Sequence, residues 1–364
     1  MLEDKNKKPL NELEELGEFG LIEHLTKNIQ LKNKSSLKGV GDDAAVVYYK
    51  DKQTVLTTDL LVEGIHFDLM YSPLKHLGYK AVIVNLSDIY AMNADPTQIT
   101  VSIAISSKFS VEALDELYKG IREACRIYKV DLVGGDTTSS PKGLTISVTA
   151  MGKTSADKIT YRSGAKKGDI LCVTGDLGSA YLGLQILERE KQLYMSNPGI
   201  QPDLENQQYL LERQLKPEAR KDSIGYLRKE SVVPTAMIDI SDGLLADLEH
   251  ILEASNKCIM SAKKCLSAHI KLDAIPLSSG AKLFIDKTGD WQSILTGGDD
   301  YQLCFTLKPE EFEKIKLIAE SLGVTLSVIG EIVLSEEDAS VGGIKLSLNE
   351  GAFDLKESKG YLHF

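Results

Sequence analysis

Carboxylates at the ends of apolar runs are the side chains of this sequence best suited to chemistry. An apolar strand that ends in a small residue and a carboxylate is how α/β folds bring ligand-binding groups to a sheet edge. Two carboxylates about 6 Å apart repel by roughly 3 kcal/mol at an effective dielectric constant near 20, so a pocket that gathers several needs divalent cations. Ligands that are all oxygen indicate Mg²⁺ or Ca²⁺. Six stretches fit this description, and their aspartates are Asp42 and Asp43, Asp59, Asp88, Asp136, Asp239 and Asp242, and Asp299 and Asp300.

Two of these stretches add other groups that bind metals or phosphates. The glycines of VGGDTTSS would let the backbone approach a phosphate beside Asp136, and the alternative is an ordinary turn in which the aspartate caps a helix. In TTDLLVEGIHF, Thr57 and Thr58 offer hard oxygen ligands next to Asp59. His66 follows them, either as a substrate contact or as a structural histidine.

Two further stretches place carboxylates where they need a partner. Asp88 lies in an otherwise apolar helix, where an unpaired buried carboxylate costs several kcal/mol; the alternative is an aspartate that faces solvent. Asp239 and Asp242 flank Ser241 at a strand-to-helix turn, where free N–H groups and the helix dipole favour phosphate. Ordinary helix capping by Ser241 or Asp242 is the alternative there. The stretch VTGDLGSAYLG favours a structural turn over a phosphate loop.

Composition limits the classes of partner. The chain has 364 residues and a net charge of −11, and no basic face is visible, which argues against nucleic acid. An acidic protein can still bind a phosphorylated small molecule through Mg²⁺. We expect no membrane span, because no run of 18 apolar residues occurs. Without an apolar leader, and with five scattered cysteines that lack CxxC spacing, the sequence predicts a cytoplasmic protein.

The length favours two α/β domains, with a boundary near residue 152 that gives domains 1–152 and 153–364. Apolar spacing predicts an amphipathic helix over about 12–30, and the sequence pattern also predicts helices over 75–94 and 111–128 and a strand over 45–49. The segment 188–222 is polar and predicts an irregular excursion with one short helix near 205–214. Ser179 is expected to cap the helix that begins there.

Together the motifs resemble the thiamine-monophosphate kinase family, which belongs to the superfamily of aminoimidazole ribotide synthetase. The similarity extends from GEFGLIEHL at 17–25 to GYLHF at 360–364 and is weakest over 188–222 and 256–290. The pieces that carry it are GDDAAV, TTDLLVEGIHF, NLSDIYAMNADP, GGDTT, RSGAKKGD, IDISDGLLADLEHI, GGDDYQLCF and the terminal KGY.

The resemblance implies a two-domain, synthetase-like α/β (α+β) fold and a homodimer whose N-terminal α/β domains form a shared β-barrel, with the nucleotide near the subunit boundary. It implies transfer of phosphate from ATP to thiamine monophosphate, the last step of thiamine diphosphate biosynthesis, by direct in-line attack assisted by several Mg²⁺ ions. The implied Mg²⁺ ligands are Asp43, Thr57, Thr58, Asp59, Asp88, Asp136, Asp239 and Asp242; the implied ATP contacts are Tyr118, Gly135, Asp136, Arg162 and Ser241; the implied substrate contacts are His66, Asp299 and Tyr361.

The sequence departs from the family pattern at two places. Asp299 replaces the usual glutamate of GGED, and Asn93 replaces the usual glycine of Met-Gly-Ala. Two alternatives to the kinase stay open: another ATP-dependent synthetase of the superfamily, and a non-catalytic protein that binds nucleotide or metal. Asp42 and Asp300 have no assigned role.

Overall fold

The computed structural model describes residues 36–38, 41–49, 52–199, 201–258, 265–335, 343–349 and 351–355. The helix predicted over about 12–30 and the substrate contact predicted at Tyr361 lie outside these residues. Within them, none of the helices is both long enough and apolar enough to cross a membrane.

The first half of the chain forms a six-stranded sheet in the order β1-β2-β3-β6-β4-β5. Among the described strands of this sheet, only β4 and β5 form a parallel pair, and the helix Val111–Tyr128 connects them. The elements are β1 (Ser36–Lys38), β2 (Ala45–Tyr49), β3 (Lys52–Val62), α1 (Leu74–Ala91), β4 (Asp95–Ile105), α2 (Val111–Tyr128), β5 (Asp131–Ser139) and β6 (Thr145–Thr154).

One face of this sheet is covered and the other is open. Along β3, Val55 and Leu61 are buried, whereas Leu56 and Leu60 are 37% and 53% exposed. This alternation follows from the two-residue period of a strand whose one face packs on helices. The helices themselves approach closely, because a Cβ atom on Gly78 of α1 would lie 2.0 Å from the carbonyl oxygen of Leu117 in α2. Glycine is therefore required at this crossing.

The second half forms a seven-stranded sheet in the order β13-β12-β9-β11-β7-β10-β8, in which only β9 and β12 are parallel. Its strands are β7 (Ile170–Thr174), β8 (Ala236–Ile240), β9 (Cys265–Lys271), β10 (Gln302–Leu307), β11 (Leu326–Ser335), β12 (Ile344–Leu348) and β13 (Gly351–Phe353). Its helices are α3 (Ser179–Ser196), α4 (Gln208–Leu215), α5 (Lys221–Lys229), α6 (Leu244–Lys257), α7 (Ser279–Thr288), α8 (Trp291–Thr296) and α9 (Pro309–Ser321), with a 3₁₀ turn at Leu272–Ala274.

Helix α1 lies between the two sheets. It packs against β3, β4 and β6 on one side and against β8 on the other. Its residues 77–87 are all buried, as expected for a helix covered nearly all round. The first hydrophobic core therefore continues from the first sheet into residues such as Met237 and Phe305 of the second. The result is a two-domain α/β fold whose halves share a packed interface.

The structure corrects three local predictions. Residues 188–196 are not irregular, because α3 continues through them to Ser196, and α5 adds a second helix in the region that follows. The GGD stretch around Asp136 is not a turn but lies within the strand β5. Ser179 does not cap α3; the carboxylate of Asp300 accepts hydrogen bonds from the N–H groups of Gly178 (2.7 Å) and Ala180 (3.4 Å) instead.

Candidate functional site

A cavity of about 870 Å³ lies between the two halves of the fold. Helix α1 contributes Lys80, Val84 and Asp88, which are spaced four residues apart and therefore form one stripe. Predicted site residues from both halves line the same cavity: Thr58, Asp59, His66, Asp88, Asp239, Ser241, Asp242 and Asp299. The packing of α1 between the sheets is what brings groups so distant in sequence together.

Two of the carboxylates that line the cavity, those of Asp88 and Asp239, meet a third, that of Asp43, which lies beside the cavity lining. Asp43, Asp88 and Asp239 each place an oxygen within 4.8 Å of the other two. At that separation a pair of charges repels by about 3.5 kcal/mol at an effective dielectric constant near 20. The Oδ2 atoms of Asp43 and Asp239 are buried and have no hydrogen-bond partner. Buried carboxylate oxygens without donors are the atoms that a hard cation binds.

The protonation equilibria of the group reflect burial and mutual repulsion. Burial, followed by the charges of Asp59, Asp239 and Asp43, raises the pKa of Asp88 well above its usual value. Burial and then Asp43 raise the pKa of Asp239 to about 7, and burial raises that of Asp59 to about 6. The fold therefore favours the binding of a proton or of another cation by these carboxylates.

Neighbouring side chains hold these carboxylates in place. Thr57 donates its hydroxyl hydrogen to Asp88 at 2.5 Å, and Arg162 donates to Asp43 at 2.7 Å. The side-chain oxygen of Asn85 accepts a hydrogen bond from the backbone N–H of Asp59 at 3.1 Å. Thr57 and Arg162 thus contact the acidic group directly, although neither lines the cavity.

The turn after β8 is held by a residue for which the sequence predicted no role. Asp247 on α6 is buried, and its Oδ2 accepts hydrogen bonds from the N–H groups of Ser241 and Asp242, each at 3.1 Å. Asp247 therefore occupies the backbone donors of the turn, while the side chains of Ser241 and Asp242 line the cavity. Asp247 lies five residues after Asp242 on an otherwise apolar helix face. A carboxylate in such a place needs a partner, and this was the sequence signal for its role.

Asp299 lines the same cavity and has a left-handed conformation with φ of 70°. Its Oδ2 accepts hydrogen bonds from Lys80 (2.8 Å) and Gln214 (3.1 Å), and its Oδ1 accepts one from Tyr301 (2.7 Å). Burial raises the pKa of Asp299, but Lys80 and the hydrogen bonds outweigh it, so that the pKa lies below its usual value. The side chain is therefore a carboxylate anion held by a buried lysine.

The two aspartates without an assigned role now have structural ones. Asp42 accepts a hydrogen bond from the backbone N–H of Arg162 at 3.2 Å and forms an ion pair with Lys38 at 3.6 Å. It therefore anchors the loop that delivers Arg162 to Asp43. Asp300 caps α3, as described above.

Some predicted residues do not come to the cavity within one chain. The register aligns Asp136 with Ser102, Ser147 and Leu60, a row adjacent to that of Asp59. Adjacent rows point to opposite faces, so Asp136 lies on the open face of the sheet. It is also three strands away from β3, roughly 14 Å at the usual strand spacing. Neither Gly135, also on β5, nor Tyr118, half-buried on α2, lines the cavity.

Comparison with known proteins identifies the family. Residues 41–154 match the family described as AIR synthase related protein, N-terminal domain. The thiamine-monophosphate kinase of Buchnera aphidicola (subsp. Schizaphis graminum) is 36% identical over 96% of this chain and 99% of its own length. That of Bacillus subtilis is 34% identical over 96% of this chain and 100% of its own length. The solved structure of AaThiL complexed with AMPPCP and TMP is 31% identical, with a TM-score of 0.76, and covers 98% of this chain and 99% of the other.

The chain belongs to the thiamine-monophosphate kinase family.

The structure explains one departure from the usual pattern of the thiamine-monophosphate kinase family and gives the partner of the residue at the other. Asn93 is buried with φ of 54°, and asparagine is one of the few residues other than glycine that adopts this left-handed conformation readily. Its side chain also donates to the carbonyl of Lys158 at 2.8 Å. At the other departure, Asp299 is one methylene shorter than glutamate, and Lys80 reaches it from α1.

Three of the residues that organise the site were not predicted from the sequence: Lys80, Asn85 and Asp247. Each is a polar side chain within a helix whose neighbours are apolar, and each is buried. A buried polar group requires a partner. That requirement marks such residues as candidates, but the partner itself becomes visible only in the folded chain.

Proposed function

We propose that this protein transfers the γ-phosphate of ATP to thiamine monophosphate, giving ADP and thiamine diphosphate, which is the last step of thiamine diphosphate biosynthesis. The observation that carries the proposal is the meeting of Asp43 with Asp88 and Asp239, two carboxylates that line a cavity large enough for an organic phosphate. Membership of the thiamine-monophosphate kinase family supports the choice of substrates, as does the structure of AaThiL with AMPPCP and TMP.

The donor set fits Mg²⁺. The grouped ligands are carboxylate oxygens without thiolate or imidazole, and two of them are buried and unpartnered. Asp43, Asp88 and Asp239 would form the centre of the binding group, with Asp59 and Asp242 beside them at the cavity wall. Thr57 contacts Asp88 on the covered face of the sheet and completes the set, whereas Thr58, although it lines the cavity, donates its hydroxyl hydrogen to the carbonyl of Val148 at 3.1 Å. When bound, Mg²⁺ neutralises the negative charge of the phosphates.

The reaction requires positioning more than proton transfer. A phosphate oxygen of thiamine monophosphate attacks the γ-phosphorus of ATP, the new O–P bond forms, and the bond from this phosphorus to the β,γ-bridging oxygen breaks to release ADP. The attacking monoester is already an anion near neutral pH, so no strong general base is needed. Arg162 keeps Asp43 in place, Asn85 orients Asp59, and Asp247 fixes the turn of Ser241 and Asp242. Rigid support of this kind is how a site lowers the barrier for in-line transfer.

Binding of the organic part of the acceptor is assigned to the side of the cavity lined by His66 and Asp299. The backbone N–H of Val62 donates to Nδ1 of His66 at 3.0 Å, which fixes the ring orientation. Lys80 holds Asp299 as an anion, so the carboxylate of Asp299 can accept a hydrogen bond from thiamine monophosphate. Tyr361 would complete this contact set.

We also propose that two chains share the nucleotide site as a homodimer. All nine residues of β5 are exposed, and among the described strands β5 pairs only with β4. An edge of this kind is a surface on which a second chain can pair. A dimer in which two first sheets pair along this edge and turn their open faces toward each other would form the shared β-barrel and place Tyr118, Gly135 and Asp136 of one chain at the subunit boundary. The free cysteines of the described residues fit a reducing, cytoplasmic location.

The decisive experiment is release of ADP from ATP as a function of thiamine monophosphate concentration. We expect ADP release to require both thiamine monophosphate and Mg²⁺, and Asp88→Asn to lower kcat by at least about 10²-fold, as is typical when electrostatic support for the transfer is lost. Asp286→Asn, an exposed aspartate on α7, is the matched control and should leave kcat unchanged.

Three outcomes would contradict the proposal. ADP release that ignores thiamine monophosphate would favour another synthetase of the superfamily. Nucleotide binding without turnover would favour a non-catalytic protein. A phosphorylated enzyme trapped during turnover would refute direct transfer.

A further inference from the structure

Helix α3 presents a regular stripe to the cavity. Tyr181, Leu184, Glu188 and Lys191 all line it, at spacings of three, four and three residues. With a rise of about 1.5 Å per residue, this stripe extends roughly 15 Å along the wall. Glu188 and Lys191 belong to the segment that the sequence predicted to be irregular, so their place on a cavity wall is a consequence of the extended helix.

The connection between β3 and α1, residues 63–73, forms the facing wall, and four side chains join it to α3. The hydroxyl of Tyr71 donates to Oε1 of Glu188 at 2.7 Å. The ammonium of Lys191 lies 2.7 Å from Oδ2 of Asp68 and 3.2 Å from Oε2 of Glu188. It also lies 5.8 Å from the centre of the Tyr71 ring. We call Asp68, Tyr71, Glu188 and Lys191 the clasp.

Lys191 is the central member of the clasp, because it contacts the other three side chains. Its side chain and that of Asp68 are only 22% and 26% exposed, so solvent screens their attraction less than at an open surface. The hydrogen bond with Asp68 is the main cause that raises the pKa of Lys191. Burial raises the pKa of Asp68, but Lys191 and the N–H of Met70 outweigh it, so the pKa is lowered.

Other bonds shape the 63–73 segment without attaching it to α3. The N–H of Gly64 donates to the carbonyl of Phe67 at 2.8 Å, and that of Met70 donates to Oδ1 of Asp68 at 2.8 Å. Phe67 packs in the first hydrophobic core, whereas Ile65 and Met70 are 59% and 55% exposed. Phe67 therefore anchors the segment to the first half of the fold, and the clasp supplies the hydrogen bond and ion pair that join it to α3.

The clasp lies at the end of the cavity away from the three carboxylates. Lys80 lies about 12 Å from Asp88 along the stripe of α1, toward the N-terminus of the helix. The 63–73 segment directly precedes this N-terminus, because α1 begins at Leu74. A substrate whose phosphate lies beside Asp88 would therefore direct its ring system toward the clasp.

We propose that Lys191 is a positioning residue, which joins Asp68 to Glu188 and so holds the 63–73 segment, with His66, against α3 to complete the acceptor end of the cavity. This inference rests on the proposed kinase function for the identity of the acceptor. Lys191 need not contact the substrate, since its hydrogen bonds are made within the clasp.

The kinetic test compares Lys191→Met with the parent protein. We expect KM for thiamine monophosphate to rise about fivefold, the effect of a partly exposed ion pair worth near 1 kcal/mol, with kcat within twofold and KM for ATP unchanged. Lys191→Arg should restore most of the loss, and Lys314→Met, which breaks an ion pair of 2.8 Å on α9, is the matched control. Equal increases in both KM values, or no change in either, would overturn the proposal.

A ligand-free test separates this inference from the proposed function. Amide hydrogen exchange of residues 63–73 should accelerate in Lys191→Met and in Asp68→Asn, and the double variant should show no further acceleration, because both changes break the same contact. Unchanged exchange in these variants would refute the clasp even if the kinase assay succeeds. If the parent protein has no kinase activity but hydrogen exchange accelerates in the variants, the proposed substrate is wrong and the role of the clasp in holding residues 63–73 is supported.

Discussion

Replacing Asp239 by asparagine should stabilise the metal-free protein while abolishing its response to Mg²⁺. In the absence of cation, Asp239 is a buried carboxylate within 4.8 Å of oxygens from Asp43 and Asp88. Its removal relieves both the burial of a charge and the repulsion from its neighbours. With Mg²⁺ present, the same carboxylate becomes a ligand, so its loss becomes unfavourable.

The pKa of Asp239 sets the size of the stability gain expected from Asp239→Asn. Its rise from 3.8 to about 7 corresponds to an upper bound of about 4 kcal/mol of destabilisation at alkaline pH. The buried amide of asparagine has its own desolvation cost of roughly 1–3 kcal/mol, so we expect a net gain of about 2 kcal/mol. For a chain of 364 residues, this gain corresponds to a Tm increase of about 3 °C.

The assay is thermal unfolding at pH 5 and pH 8, in EDTA and in excess Mg²⁺. Because the folded-state pKa of about 7 exceeds the unfolded value of 3.8, this group stabilises the fold fully below pH 3.8, and that stability is lost as the pH rises through about 7. The parent protein in EDTA should therefore lose stability from pH 5 to pH 8, and Asp239→Asn should lose less. Mg²⁺ should raise the Tm of the parent protein but not that of the variant.

A variant less stable than the parent protein in EDTA at pH 8 would refute this reasoning, since it would mean that Asp239 is not electrostatically strained. Asp286→Asn, exposed on α7, is the matched control and should change neither Tm value.

Three further predictions concern residues that support the site. Lys80→Met, which removes the 2.8 Å ion pair with Asp299, should lower the free energy of unfolding in urea by about 3 kcal/mol; adding Asp299→Asn should recover part of it, and additive losses would contradict the pairing. Asp247→Ala should cost about 2 kcal/mol for its two accepted hydrogen bonds and lower kcat in the ADP-release assay, whereas Asp247→Asn should retain most of both; equal losses would argue against the capping role. Asp300→Ala should cost about 1–2 kcal/mol and speed hydrogen exchange at the start of α3, and a larger effect of Ser179→Ala would show that the serine is the cap after all.

Local pattern predicted those elements whose periodicity is strong. The helix over 111–128 and the strand over residues 45–49 match the structure, because an amphipathic spacing and a short apolar run between polar turns leave few alternatives. The segment 188–196 was predicted wrongly as irregular, since a polar helix face over a cavity resembles a loop in its composition. The ordinary turn given as the alternative for the GGD stretch is wrong for a related reason: two glycines and an aspartate favour a turn locally, but pairing with β4 holds them in a strand.

The sequence by itself determined the family and the chemical character of the site. The aspartates at the ends of apolar runs could be recognised as candidate site residues, because a carboxylate in such a place needs a cation or a hydrogen-bond partner whatever its position in the fold. Only the tertiary structure decided which of them meet. By placing α1 between two sheets, it brought Asp88 to Asp43 and Asp239, whereas strand pairing left Asp136 on the open face. The structure also made Asp300 a helix cap and Asp299 the partner of Lys80, because distances between residues far apart in the chain are set by packing rather than by sequence order.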